Sequence, residues 1–511
     1  MSQPVRVNRT AVTACVMLAT ILQSVDTTIA NVALPYMQGS LSASRDQIAW
    51  VLTSYIVAAA IMLPPTGWLA GRFGRRNLFL TAIGGFTIAS ALCGMAGTLG
   101  QLVAFRLMQG MFGASLIPLS QAVLLDTYPP EQHGQAMAAW GLGTIIGPIL
   151  GPTLGGFLTE HYTWRAVFYV NMPLGSLAFI GMFLFLPDGA RKVNHRLDWI
   201  GFGTLSLAVG AFQLMLDRGE QLDWFNSTEI ITEAIVSGVA FYCFLVHTFT
   251  CDKPFVPPRL FRDRNFTVAV MFHSTNAMVM QATLSLIAPF LQDVVGYPAQ
   301  EAGFLMGPRG FGTMCSMLFI GRALNVVDLR FKLLIGIGLN ASALTLMSQF
   351  NADTPPLAVM TAGVMQGAGM GLIFIPLSAL AFATLPAHLR TEGTSIYALI
   401  RNMAGSIGIS VMASRLVANT QVNHETISTA VTAYDRHFRT GGAMQFWNPL
   451  TAAGQVSLDA EITRQATLIA YIDDFKVMVL ICLCGAPLVL LLRPPRRKAR
   501  ASAAEAIAEA D

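Results

Sequence analysis

"RLMQGMFGASLIPLSQAVLLDTYP" (Arg106–Pro129) is matched by a second stretch much later in the chain, "GVMQGAGMGLIFIPLSALAFATLP" (Gly363–Pro386). Met-Gln-Gly stands at 108–110 and again at 365–367. Ile-Pro-Leu-Ser stands at 117–120 and at 375–378, and each stretch ends in a proline, Pro129 and Pro386. Both stretches are apolar over the roughly 20 residues that a helix needs to cross a bilayer. The match therefore points to a membrane protein built from two related halves.

Composition agrees. Hydrophobic residues make up 54% of the 511 residues and charged residues only 12%, where soluble domains carry about 25% charged residues. Mean hydropathy is +0.55. About fourteen apolar runs are long enough to span, and barrel strands would be shorter and would alternate, so the spans are read as helices. The repeated stretches fall in the fourth and twelfth spans. Six-helix halves would place them six spans apart, so two spans look inserted. The best candidates are 198–217 and 229–249, which charged loops flank. The expected fold is an all-α integral membrane protein of fourteen transmembrane helices. Residues 1–190 form an N-terminal six-helix half, 191–260 carry the two inserted helices, and 261–511 form the second half. That second half includes one long, polar outer loop at about 418–472.

Arg6 and Arg9 precede the first span, and "RPPRRKAR" follows the last. No small-residue cleavage site follows the first apolar run, so it reads as a retained anchor. Most of the 32 Lys and Arg fall on one side of the membrane when both termini are placed in the cytoplasm. The net charge of +4 thus reports topology, and nucleic acid is not an expected partner. Seven cysteines, all in or beside spans, show no metal-ligand or disulfide spacing. No Gly-Lys-Ser/Thr phosphate loop is present, so ATP is not the expected energy source. No cofactor is expected, and no catalytic pair within the spans suggests an enzyme.

Paired halves are a common plan for secondary transporters, whose substrate site lies between the halves near the midplane. Several stretches carry a resemblance. "GWLAGRFGRRNLF" (67–79), "RLMQGMFG" (106–113) and "GLGTIIGPILGPTLGG" (141–156) resemble the loop, fourth-helix and fifth-helix antiporter motifs of the major facilitator superfamily. "VDTTIANVALP" (25–35), "WRAVFYVNMPLG" (164–175) and "LDRGEQLDWF" (216–225) resemble its 14-helix drug:proton antiporter branch, and "RNMAGSIG" (401–408) looks most like the EmrB group. The resemblance covers nearly the whole chain. It implies proton-coupled multidrug efflux across the bacterial inner membrane, with hydrophobic drugs and protons as substrates and a role in antibiotic resistance. For the long outer loop it implies docking of a periplasmic adaptor that connects to an outer-membrane channel. A solvated loop without a partner is the plain alternative.

Asp26 is the leading functional residue. It lies about 20 Å along the first span, where an acid costs roughly 2.5–3.5 kcal/mol on insertion scales. It is read as the only acid deep in any span. Desolvation raises a carboxyl pKa, which suits proton carriage, and the family resemblance implies the same role. A structural acid satisfied by Thr27 and Thr28 is the alternative. Arg106 is the natural partner, because the depths of the two residues differ by only about 6 Å. Its repeat counterpart is Gly363, which places the coupling chemistry in the first half. A structural tie from Arg106 to backbone carbonyls is the other reading.

Gly143, Gly147, Gly151 and Gly155 line one helix face, and Pro148 and Pro152 add kinks. By sequence alone plain tight packing explains this face nearly as well as a moving seam, and the resemblance implies an antiporter seam. Gly67, Arg72, Gly74 and Arg75 belong to the loop motif, whose family version builds a charge latch on an acid where this chain has Gly71. Further polar residues inside spans are expected to line the cavity: Gln23, Asn31, Gln109, Asn276, Gln281, Arg309, Gln366, Tyr397, Arg401 and Asn402. A proton symporter, an exporter of one metabolite, and a non-transporting membrane scaffold or sensor remain open.

Overall fold

The computed structural model describes residues 8–129, 132–187, 197–323, 328–386, 389–431, 447 and 451–492. Arg6 and the "RPPRRKAR" tail lie outside the described residues. The first half consists of α1 (Arg9–Ser40), α2, α3 (Arg75–Met95), α4 (Leu99–Thr127), α5 (His133–His161) and α6 (Ala166–Phe185). Helix α2 runs Arg45–Met62 and, past Pro64 and Pro65, resumes as Thr66–Phe73 at an angle of 59°. Two further helices follow, α7 (Trp199–Arg218) and α8 (Thr228–Thr250). The second half comprises α9 (Arg264–Val294, its last turn π-helical), α10 (Ala299–Ala323), α11 (Leu329–Met347), α12 (Pro356–Ala383), α13 (Arg390–Ala430) and α14 (Ala452–Leu491, broken at Gly485).

Eleven of these are long and apolar enough to cross a membrane, and bent α2 makes a twelfth. Helices α5 and α10, of 29 and 25 residues, exceed the length that a span requires and complete the fourteen. No strand occurs among the described residues. Polar side chains fix the helix starts: Asn8, Ser44, Thr98, Asp198, Asp263, Asp328 and Thr451 each accept a first-turn backbone N–H. Large apolar side chains point outward, with Phe249 76% and Phe304 74% exposed. A surface of that kind is solvated by lipid.

The internal repeat has a packing cause. Gly110 of α4 lies against the carbonyl of Tyr55 in α2, and Gly367 of α12 lies against the carbonyl of Arg309 in α10. Any side chain there would strike backbone. In both halves, then, the fourth helix touches the second at the glycine of Met-Gln-Gly, and the preceding glutamine, Gln109 or Gln366, is wholly buried.

The inserted pair lies against one flank, where α7 packs on both halves. Asp217 bonds Thr53 of α2, Gln213 donates to Ser406 of α13 at 3.0 Å, and Ser410 of α13 donates to the Leu216 carbonyl at 3.0 Å. Asp198 closes the near end of the pair. It accepts from the Gly201 and Phe255 N–H groups and meets His247 of α8 at 2.8 Å. Burial alone would raise its pKa, but these donors outweigh burial and hold the carboxyl below its usual range.

The segment at 418–472, expected as an outer loop, is largely helical where it is described. Helix α13 continues to Ala430 and α14 begins at Ala452, while most residues between them lie outside the described set. The two helices run antiparallel past the spans, with Asn423 donating to the Ala466 carbonyl and His424 meeting Asp459 at 3.0 Å. The stretch "LDAEITRQATLIAYIDDF" is helical throughout, as its amphipathic pattern allows.

Candidate functional site: a buried acid cluster in the first half

Asp26 is wholly buried in α1, and both carboxylate oxygens are engaged. Oδ2 accepts from Nη1 of Arg106 at 2.9 Å. Oδ1 accepts from Nε2 of Gln109 and from Nδ2 of Asn171, both at 2.7 Å. The Arg106 guanidinium is satisfied in turn. Its Nε donates to the Val51 carbonyl of α2 at 3.2 Å and its Nη1 also reaches Gln109 at 2.7 Å. Its flat face lies 4.3 Å from the Tyr55 ring centre and 5.7 Å from that of Phe168, a cation–π arrangement that is strong where water is absent. Asn171 of α6 also donates to Ser90 of α3 at 3.0 Å, and Ser90 bonds the Phe168 carbonyl. Five of the six helices of the first half therefore converge on one carboxylate.

The sixth, α5, fixes the height of α1. Gly147 and Gly151 lie directly against Ser24 and Thr28, each two residues from Asp26, and Gly155 faces Ile29. The Thr28 hydroxyl donates to the Gly147 carbonyl at 3.1 Å. The glycine face therefore packs on α1, within its own half, as the tight-packing reading of the stripe allows. Glycines one turn apart remove the side chains that would hold two backbones apart, and here the neighbour is α1. Pro148 lies in the same helix, but its side chain is outside the described set, as is that of Pro152. The contact of α5 with the other half uses different residues. Trp140 stacks on Phe374 of α12 at 5.5 Å, and Gly141 meets Met317 of α10.

The loop motif lies at the face that carries the start of α1, called here the terminal face. Gly74 turns the chain with φ 87°, a conformation that favours glycine. Gly67 fits against Glu392 of α13 with no room for a Cβ. Arg75 pairs with Asp126 at the end of α4, and Arg390 of α13 approaches the same carboxylate at 3.5 Å. The halves are thus latched through Asp126, in the absence of an acid at Gly71. Arg72 is exposed on the last turn of this segment. Neither Asp126 nor Arg390 stood out in the sequence. The signal was the acid that closes "AVLLDTYP" in the first repeat copy, where the second copy has Ala383.

The remaining candidates divide. Gln23 is buried one turn before Asp26, while Asn31 lies five residues beyond it and is exposed. In the second half, Tyr397 of α13 stacks on His273 of α9 at 4.5 Å. Arg401 follows one turn later and bonds its neighbour Asn402 at 3.3 Å. Arg309 reaches the Met280 carbonyl at 3.4 Å, Gln281 lies against Gly405, and Asn276 is buried on α9. No hydrogen bond among the described residues joins these groups to Asp26. Besides Asp126 and Arg390, sequence reasoning missed three residues. Asn171 lies in "WRAVFYVNMPLG" as a lone amide in an apolar helix. His273 is buried with neither ring nitrogen bonded among the described residues. Asp474 of α14, near a span end by sequence, is as fully buried in the protein as Asp26.

The sequence profile of the Major Facilitator Superfamily matches residues 16–409. The chain belongs to the major facilitator superfamily. Among curated members, the multidrug export protein EmrB of Haemophilus influenzae is 36% identical over 422 residues, 82% of each chain. EmrB of Escherichia coli K12 is 34% identical over 94% of each chain. The fatty acid resistance protein FarB of Neisseria gonorrhoeae is 33% identical, covering 94% of this chain and 95% of its own. The crystal structure of the human organic anion transporter MFSD10 shares the superfamily fold, with a TM-score of 0.60 at 12% identity, over 94% of this chain and all of that one.

Proposed function

We propose that this superfamily member is a drug:proton antiporter that exports hydrophobic small molecules across the bacterial inner membrane by alternating access. The observation that carries this reading is the Asp26 carboxylate, buried between three donors and held by the one cation, Arg106, that a conformational change can withdraw. The names of the EmrB relatives support drug export. In this reading both termini are cytoplasmic, residues 1–190 and 261–511 rock as units about the 191–260 pair, and no cofactor is used beyond the proton motive force. A proton crossing 100 mV releases about 2.3 kcal/mol, which sustains roughly a fifty-fold substrate gradient. Gln23, Asn31, Gln109, Asn276, Gln281, Arg309, Gln366, Tyr397, Arg401 and Asn402 are assigned to the substrate path.

With the termini inside, the Asp126 latch and the Trp140–Phe374 stack close the cytoplasmic side. At 41 residues, α13 is about 60 Å long, twice the hydrocarbon core. Its excess and that of α14 then project into the periplasm, where they would receive an adaptor protein that leads to an outer-membrane channel. Similarity to FarB supports a second reading, export of one class of metabolite such as fatty acids.

The test is expression in a strain stripped of its own exporters, challenged with a panel of hydrophobic dyes and long-chain fatty acids. Tolerance to several unrelated compounds, lost on Asp26→Asn, is the expected result. Tolerance to fatty acids alone would select the second reading, and tolerance that survives Asp26→Asn would remove Asp26 from the mechanism.

A further inference from the structure

Asp474 in α14 is buried as completely as Asp26 but is bonded quite differently. Asp26 has three donors at 2.9 Å or less. Asp474 has one, a long 3.4 Å contact from Nε of Arg415 in α13 to Oδ1, while Oδ2 has no partner among the described residues. The Arg415 side chain is 42% exposed. Tyr471, Phe475 and Met478, all buried, surround the acid on its own helix. An ionised carboxylate so placed has lost its water and gained little in return, whereas a proton removes the deficit.

The other charges around it do not supply the missing partner. On α14, Asp473 pairs with Lys476 at 3.0 Å. The π-turn that ends α9 brings Asp293, an acid, to Tyr471. Helix α11 also packs on α14, but its only charges, Arg330 and Lys332, stand in its first turn at the terminal face. Asp474 itself lies about 27 Å along α14 from Leu492, close to the face opposite the termini.

Arg415 belongs to a helix with two other duties. The same unbroken α13 carries Arg390 of the Asp126 latch and Tyr397 on His273. We propose that Asp474 is a second proton-binding carboxylate, reached from the face opposite the termini, whose protonation releases Arg415 and frees α13 to move. The proton passes from water to a carboxylate oxygen, and the Arg415 cation turns outward to water. The inference rests on the proton-coupled export proposed above.

The full-length protein in lipid nanodiscs, carrying Asp26→Asn to silence the first acid, is titrated by infrared difference spectroscopy. A buried carboxylic-acid band should appear on acidification and vanish when Asp474→Asn is added. In proteoliposomes with the native Asp26, the protons moved per hydrophobic dye exported should fall by one in Asp474→Asn and return in Asp474→Glu. Arg415→Gln, which keeps the acid, should retain the infrared band and serves if Asp474→Asn does not fold. A band indifferent to Asp474, or an equal proton count in wild type and Asp474→Asn, would overturn the proposal. If wild type moves no protons with dye, it is the antiport reading that fails, and this is seen before any variant is compared.

Discussion

The Asp26 carboxylate accepts three hydrogen bonds, all from buried side chains of other helices, and the donors have unequal roles. Arg106 supplies charge, while Gln109 and Asn171 supply direction. Removing one partner of a buried ion pair costs about 3–5 kcal/mol, because the other charge is stranded. Arg106→Gln is therefore expected to lower the melting temperature in detergent and to abolish efflux. Asn171→Ala removes one hydrogen bond to a charged group, worth about 1.5–3 kcal/mol, and should slow efflux roughly tenfold or more while the protein still reaches the membrane. Full activity in Asn171→Ala, measured by dye efflux from loaded cells, would show Asn171 to be incidental. The pairing of Asp26 with Arg106 was legible in the sequence, because depth along two helices is a matter of counting residues. The part of Asn171 was not, since the face a lone amide presents depends on how its helix is rotated in the bundle.

At the scale of helices, small residues decide which pairs touch. Gly147 presses on the backbone of Ser24, whereas Gly156, next to Gly155 on the same helix, has nothing within 4 Å. Gly147→Val should cost about 1–3 kcal/mol through overpacking and displace Asp26, while Gly156→Ala should be silent in both thermal stability and efflux. Gly71 likewise has open space around it. Gly71→Asp is expected to fold normally and to strengthen the latch beside Arg75, read as slower efflux at unchanged expression. The Asp198 clasp on the inserted pair gives a pH test. Its folded pKa is depressed, so its contribution is present above the usual carboxylate value near 4 and is lost as pH falls through the lower folded value. The melting temperature of wild type should therefore drop more steeply below about pH 4 than that of Asp198→Asn. Spacing made the glycine stripe visible, but the neighbour it faces is a tertiary fact. The extensions of α13 and α14 read as a loop because their polar, amphipathic turns fall below the hydropathy of a span.

For the whole molecule, the repeat in α4 and α12 gave away the architecture, since both copies keep the glycine that the second helix of each half requires. Chemistry broke that symmetry. Arg106 has Gly363 as its counterpart, Asp126 has Ala383, and the second half has its buried acid in another helix altogether. Such departures are invisible to a repeat and are where the halves take separate roles. Asp126 meets basic residues from both halves, Arg75 and Arg390. Asp126→Asn should loosen the terminal face and raise labelling of a cysteine placed at Trp140, with no loss of fold. The most direct test of the central claim is proton movement driven by a hydrophobic substrate in proteoliposomes, with wild type set beside Asp26→Asn. Coupled proton flux in wild type, absent from a variant that still binds the substrate, is the expected result. Undiminished flux in Asp26→Asn would contradict it and leave the Asp26 cluster a structural core.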